Sequence, residues 1–382
     1  MAQILMKKAL YIGGFCMPDG NAAAQRVLGI AKVLREIGYD VHFAGLSHNI
    51  KDNKESGVID GFSYSNYPYP YGAIKWVEYL TGRDTSIGEI ESYQPNLLIL
   101  YNHPAFAIEH ITKHCHKKGI KVIADVTEWY EPMGNSIFKA IKGYDTNRRM
   151  SQSHLHLDGL ICISSYLTNF YRSKGCKVIE IPPLVDLNQA KWHQSVNEHP
   201  EEIRIMYAGS PGASKDRLDL ILAALDSVVP NIQHLVRFDI VGITEQQYVN
   251  TWGDEQKRDY VHFRGRLPHC DVIKMLLEAD FQIFLRPDSL PNRAGFPTKF
   301  VETITSRTLP ITNLSSNLSR YLNNGQDGFV VSSLDKTSIT VAIRNALCMT
   351  NSQIELTKKK IKINTFDYRE YIKSFISFMN NM

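Results

Sequence analysis

Short apolar runs alternate along this chain with longer stretches whose apolar residues recur at helical spacing. Residues 8–14 form such a run, closed by Gly13 and Gly14, and 22–37 place Val27, Ile30, Ala31 and Leu34 on one helical face. Gly38 suits a helix C-terminus, and 41–46 supplies a second strand, so the chain opens with a βαβ unit. The alternation predicts further strands at 97–101, 122–125, 160–163 and 178–181, with helices at 105–118 and from Ser164 onward. The polar and aromatic stretch 51–95 reads as loop around a short helix at 76–80. Pro182 and Pro183 stop the pattern, a polar linker covers 188–202, and the alternation then restarts. Strands are predicted at 203–208, 238–242, 261–263, 281–285, 309–312 and 329–331, with helices at 217–228, 270–278 and 299–306 and through much of 335–382. The last helix, 368–379, spaces Tyr371, Phe375 and Phe378 to cover an apolar groove. Strands alternating with helices, twice over, predict an α/β chain of two doubly wound, Rossmann-like domains.

A chain of 382 residues is long for one core, which agrees with two domains. Hydrophobic residues make up 43% and charged residues 21%, which excludes a disordered or fibrous protein. A net charge of +4 gives no argument for nucleic acid as a partner. The six cysteines lack CxxC spacing, so neither a zinc site nor a disulfide framework is expected and a reducing cytoplasm fits. No apolar run approaches the length of a membrane span. The basic stretch 137–156, with Ile137, Phe138 and Ile141 at helical spacing, could touch anionic lipid or an acidic acceptor; a solvated helix face is the plainer reading.

The densest chemistry lies in RPDSLPNRAGFPTKFVE, residues 286–302. A strand runs into a loop rich in Pro, Asn and Gly, and a helix follows. Pro297 suits the first turn of that helix, and free amides around Gly295, Thr298 and Lys299 face the positive end of its dipole, as a phosphate site requires. Lys299 adds a full charge. Glu302, one turn further in, could accept hydrogen bonds from the two hydroxyls of a ribose. The same residues would also serve a plain turn with a solvated helix face, so the rest of the chain has to decide.

Ligands in doubly wound sheets sit at the carboxyl ends of the strands. Those ends carry Asn102 and His103 after one strand and Asp125, Thr127 and Glu128 after another. Two glycine-containing strand-to-helix loops, GGFCMPDGNAAAQ with Gly14, Gly20 and Asn21, and GSPGASKD with Gly209, Ser210 and Lys215, leave backbone open to a phosphate or sugar. Neither is GxGxxG, which argues against a dehydrogenase.

These motifs, in this order, resemble the GT-B glycosyltransferases, most closely the retaining family-4 enzymes: the glycine loop before Ala22, Asn102-His103, DVTEW at Asp125, YAGSPG with Lys215, FRGRL with Arg264 and Arg266, and GFPTKFVE. The resemblance covers essentially the whole chain. It implies two Rossmann-like domains facing a central cleft, with residues 1–184 on the acceptor side, 185–365 binding the nucleotide sugar, and a final helix, 366–382, crossing back to the first domain. It assigns Glu302 to the ribose and Gly295, Phe296, Pro297 and Thr298 to the donor. Two positions depart from the family pattern: Ala294 stands where a first glutamate is usual, and Ser210 where an arginine is common. Arg293 or Arg286 could supply the missing guanidinium.

The implied reaction moves a hexose from a UDP- or GDP-sugar to a hydroxyl of a polysaccharide or lipid-linked acceptor, with retention, in cell-surface glycan synthesis. The expected catalytic set is His103, Asn102, Asp125, Lys215 and Lys299, working without a metal or cofactor in the cytoplasm, where the protein could also touch the inner membrane surface. Charge developing on the leaving phosphate would be met by the lysines and the helix amides. The alternatives are an epimerase of the same fold, for which Glu128 or Glu131 would supply acid and base, and a non-catalytic sugar- or partner-binding protein with a decayed site.

Overall fold

The computed structural model describes all residues except 1–5, 19–20, 52, 132–136, 198, 200 and 213–215. Its contacts divide the chain into two compact units, one of Met1–Val185, Arg293–Phe296 and Tyr368–Met382, the other of Asp186–Asn292 and Pro297–Asp367.

The first unit is built on eight strands: β1 (Lys7–Gly13), β2 (Tyr39–Ser47), β3 (Glu55–Ile59), β4 (Phe62–Pro68), β5 (Leu97–Tyr101), β6 (Lys121–Val126), β7 (Gly159–Cys162) and β8 (Val178–Glu180). They lie in the order β3-β4-β2-β1-β5-β6-β7-β8, all pairs parallel except β3 with β4. The connecting helices are α1 (Ala22–Glu36), α2 (Gly72–Thr81), α3 (Thr85–Tyr93), α4 (Ala105–His116), α5 (Ile137–Ser151) and α6 (Ser165–Arg172). Every residue of β5 is buried, as expected of a parallel strand covered on both faces. The strand order reverses between β1 and β5, and there the chains approach so closely that a Cβ on Gly13 would stand 2.4 Å from the carbonyl oxygen of Tyr101.

The sequence reading is corrected within 51–95. β3 and β4 form a hairpin whose turn is Asp60-Gly61, both at positive φ, 50° and 84°. That geometry suits a type I′ turn, for which Asp-Gly is a favoured pair. The predicted 76–80 helix is the longer α2.

The second unit holds β9 (Glu202–Ala208), β10 (Leu235–Val241), β11 (Val261–Gly265), β12 (Phe281–Phe284), β13 (Leu309–Thr312) and β14 (Phe329–Val330), in the parallel order β11-β10-β9-β12-β13-β14. Its helices are α7 (Leu218–Val228), α8 (Glu245–Trp252), α9 (His269–Glu278), α10 (Leu290–Ala294), α11 (Thr298–Thr305), α12 (Lys336–Leu347) and α13 (Asn351–Lys358). The last two residues of α10, Arg293 and Ala294, count with the first unit. Counted from β9, the order is 3-2-1-4-5-6, that of a dinucleotide-type sheet, with its reversal between β9 and β12. α8 is absent from the sequence reading, although Thr244 and Gln247 form the reciprocal capping box that announces a helix start.

The final helix, α14 (Ile372–Asn380), belongs to the first unit. Phe375 and Phe378 are buried in the core that contains β1, α1 and β7. Gly159 makes room for them, because a Cβ there would stand 2.7 Å from Phe378 Cζ.

Candidate functional site

In the second unit, three elements converge on the carboxyl edge at the β9/β12 reversal. β9 delivers Tyr207 and Gly209, β12 delivers Phe284 and Arg286, and α11 brings Lys299 in its first turn. The Lys299 ammonium lies 2.5 Å from Asp216 Oδ2 and 4.6 Å from the centre of the Tyr207 ring. Tyr207 OH donates to the same carboxylate oxygen at 2.9 Å. Gly209, at φ 149°, is required here, since a Cβ would stand 2.7 Å from Lys299 Nζ. Gly242, at φ 107°, is required for a similar reason: its Cβ would meet the Gly209 carbonyl oxygen at 1.9 Å. Burial pushes the Lys299 pKa below the ordinary lysine value while Asp216 works in the opposite direction.

α11 begins one residue earlier than expected, so that Pro297 (φ −73°) is the capping residue and not part of the first turn, and Thr298, exposed, opens the helix. No side chain caps this end. Glu302, three residues beyond Lys299, accepts from His269 Nε2 at 2.9 Å, a partner missing from the sequence reading. Arg286 donates through Nη2 to Asn292 Oδ1 at 2.6 Å, and its Nη1 is buried without a hydrogen-bond partner.

The other expected donor residues have the following surroundings. Arg264 Nε donates to Asp239 Oδ1 at 2.6 Å, and it lines a groove with Arg204, Arg237 and Glu278. Arg266 and Ser210 are exposed. Arg293, Gly295 and Phe296 group with the first unit, in which Ser164 Oγ donates to the carbonyl oxygen of buried Ala294 at 2.6 Å. Lys215 and Gly20 lie outside the described residues, as do the side chains of Ile137 and Phe138.

At the carboxyl edge of the first unit, Asn102 adopts a positive φ of 45° and donates to Thr127 Oγ1 at 2.7 Å. Arg149 Nη1 donates to the carbonyls of Asn102 and His103 at 2.9 and 3.2 Å. His103 is 1% exposed, both its ring nitrogens lack partners, and Tyr79 covers it at 5.6 Å between ring centres. Burial lowers its pKa to about 4, against the pull of Asp84, so the ring is neutral at pH 7.

Asp125 is bonded within the core of the first unit. It accepts from Arg26 Nη2 at 2.6 Å, from Arg26 Nε at 3.0 Å and from Tyr11 OH at 2.6 Å, with its side chain wholly buried. Both carboxylate oxygens accept hydrogen bonds from the core. Gly14 is exposed with open space around it, while Asn21 caps α1 by accepting from Ala24 N at 2.9 Å. Glu128 and Glu131 are exposed. Among the described residues no group of three His, Cys, Asp or Glu could hold a metal ion, and no helix is long and apolar enough to cross a membrane.

Two Rossmann-like parallel sheets, each reversing its order beside its first strand, are those of the GT-B fold. Residues 188–363, nearly all of the second unit, match the family "Glycosyl transferases group 1". Solved structures carry the same fold. Sucrose-phosphate synthase from Thermosynechococcus elongatus superposes with a TM-score of 0.70 at 11% identity, over 98% of both chains. A trehalose-6-phosphate structure from E. coli bound with UDP-2-fluoro glucose gives 0.71 at 11%, over 98% of this chain and 99% of that one. Anabaena HepE in complex with UDP and glucose gives 0.64 at 13%, over 98% and 100%. No curated protein sequence matches the chain.

Proposed function

We propose that the protein transfers a hexose from a UDP- or GDP-sugar to a hydroxyl of a polysaccharide or lipid-linked acceptor, with retention of configuration, in cell-surface glycan synthesis. The observation that carries this reading is Lys299, held at an uncapped helix start at the β9/β12 reversal, where a doubly wound sheet binds its ligand. The solved structures bound to UDP with glucose, or to UDP-2-fluoro glucose, support a nucleotide sugar as donor.

The chemical problem is the charge that grows on the β-phosphate as the sugar leaves. Lys299 and the first amides of α11 meet that charge with fixed donors in a partly desolvated site. Glu302 would accept from the ribose hydroxyls, with His269 holding the carboxylate in place. The acceptor hydroxyl would lose its proton to the departing phosphate oxygen on the same face, which preserves configuration without a protein nucleophile. The first unit would receive the acceptor at the Asn102 edge. A protein of this kind would work in the cytoplasm, and the exposed Ile141 and Tyr144 of α5 leave room for contact with the inner face of a membrane.

The test incubates the protein with UDP- and GDP-hexoses, with and without glycan acceptors, and follows release of the nucleoside diphosphate. Release that depends on an acceptor supports the reading. Conversion of the sugar nucleotide without an acceptor would identify an epimerase, and no turnover of any donor would leave a binding protein.

A further inference from the structure

The second unit holds a half-buried guanidinium, that of Arg286, at the same edge. Arg286 follows β12, directly across the order reversal from the loop that follows β9. Its backbone is fixed twice by Asn313, which accepts from Arg286 N at 2.9 Å and donates to Arg286 O at 2.8 Å. Its Nη2 is fixed by Asn292, which is itself anchored through Nδ2 to the Pro287 carbonyl at 2.8 Å. Its remaining terminal nitrogen, Nη1, is buried and has no hydrogen-bond partner among the described residues.

Leaving a charged donor buried and unpaired is costly, and native structures rarely do so without a ligand, water or ion to accept from it. Asp216 does not fill that role: its Oδ2 is taken by Lys299 and Tyr207, although its charge acts on both cations. Lys299 and Arg286 face Asp216, with Glu302 acting on Lys299 from α11, and both cations keep donors unused among the described residues. A diphosphate, with several acceptor oxygens in a row, matches two separated cationic donors better than a single phosphate does.

Building on the nucleotide-sugar reading, we propose that Arg286 binds the donor diphosphate together with Lys299, and that Asp216 is a positioning residue that holds the Lys299 ammonium aimed at it. Asp216 opposes the lowering that burial imposes on the Lys299 pKa. Tyr207 orients the carboxylate, and Gly209 leaves the space that the ammonium occupies.

Calorimetric titration of inorganic pyrophosphate, UDP and GDP into the full chain tests this with three variants, each checked for an unchanged melting temperature. Arg286→Gln is expected to weaken diphosphate binding about tenfold or more, and Arg286→Lys to restore part of the loss, because a lysine returns the charge without the fork. Asp216→Asn is expected to shift the pH profile: the affinity for UDP or GDP, lost as Lys299 deprotonates at alkaline pH, falls at a lower pH than in the wild type. A purely structural Asp216 would not move that profile. Wild-type affinity in both Arg286 variants overturns the assignment of Arg286, and a superimposable pH profile overturns that of Asp216. If the wild type binds none of the three probes, the nucleotide-sugar reading itself fails, a result distinct from equal binding by wild type and variants.

Discussion

Each unit carries a tyrosine, an aspartate and a cation near the carboxyl edge of its sheet, and the two trios differ in one respect. In the first, Tyr11 and Arg26 saturate Asp125, and Arg26 also donates to the Ile181 carbonyl at 3.0 Å, with side-chain exposure of 3% for the arginine and 0% for the aspartate. In the second, Tyr207 and Lys299 converge on Asp216, but the lysine is 16% exposed and Arg286 beside it keeps an unpaired nitrogen. The closed trio ties α1 to β6 and to the segment after β8. The open trio has donors to spare. A buried ion pair is therefore no marker of a site by itself; what marks one is the hydrogen-bonding capacity left over after the protein has bonded to itself.

The largest expected effect breaks the closed trio. Asp125→Ala leaves the Arg26 charge buried and alone, and should destabilise the protein by about 3–5 kcal/mol in denaturant titration. The fraction that remains folded should still bind nucleoside diphosphate as the wild type does. If Asp125→Ala were stable and lost turnover alone, the division between a structural and a functional trio would fail.

Next comes the acid limb of stability. His103 has a folded pKa of about 4, below its ordinary value of 6.5, so between those values the unfolded chain binds the extra proton and stability falls as pH falls. This one group contributes on the order of 3 kcal/mol to that loss from pH 6.5 to 4. His103→Phe should flatten the limb, as read by unfolding free energy against pH. An unchanged slope would mean that the ring is solvated and free to meet substrate.

The smallest effect sharpens the second site. Glu302→Gln keeps the shape but weakens an ionic acceptor, and should reduce nucleoside diphosphate affinity by about 1 kcal/mol, several-fold. The same affinity for wild type and variant would remove Glu302 from the ribose.

How much of this was legible in the sequence follows from the range of each signal. Lys299, Glu302 and the glycine loops announce themselves locally, because glycine before a helix and a lysine in its first turn are neighbours in the chain. Asp216 is 83 positions from Lys299, and Arg26 is 99 from Asp125, so no spacing rule could pair them. The sequence therefore shows Asp125 only as a polar residue at a strand end, and its bond to Arg26 becomes visible in the fold alone. The missed hairpin is a different failure. Its Asp60-Gly61 signal was present, but the aromatic and polar residues around it obscured the strands, since β4 buries Ser65 and Asn66 along with Phe62. Asn66 lies there because it is fully bonded, accepting from Met17 N at 3.1 Å and donating to Met17 O at 2.7 Å.

The central claim is that the edge between β9 and β12 holds the diphosphate of a nucleotide sugar, with Lys299 as its principal cation. Equilibrium binding of UDP and GDP to the wild type and to Lys299→Ala tests it most directly. Loss of a charge-assisted contact of about 1.5–3 kcal/mol predicts that the variant binds roughly 10- to 100-fold more weakly while its melting temperature stays near that of the wild type. Equal affinity in the two proteins would contradict the claim.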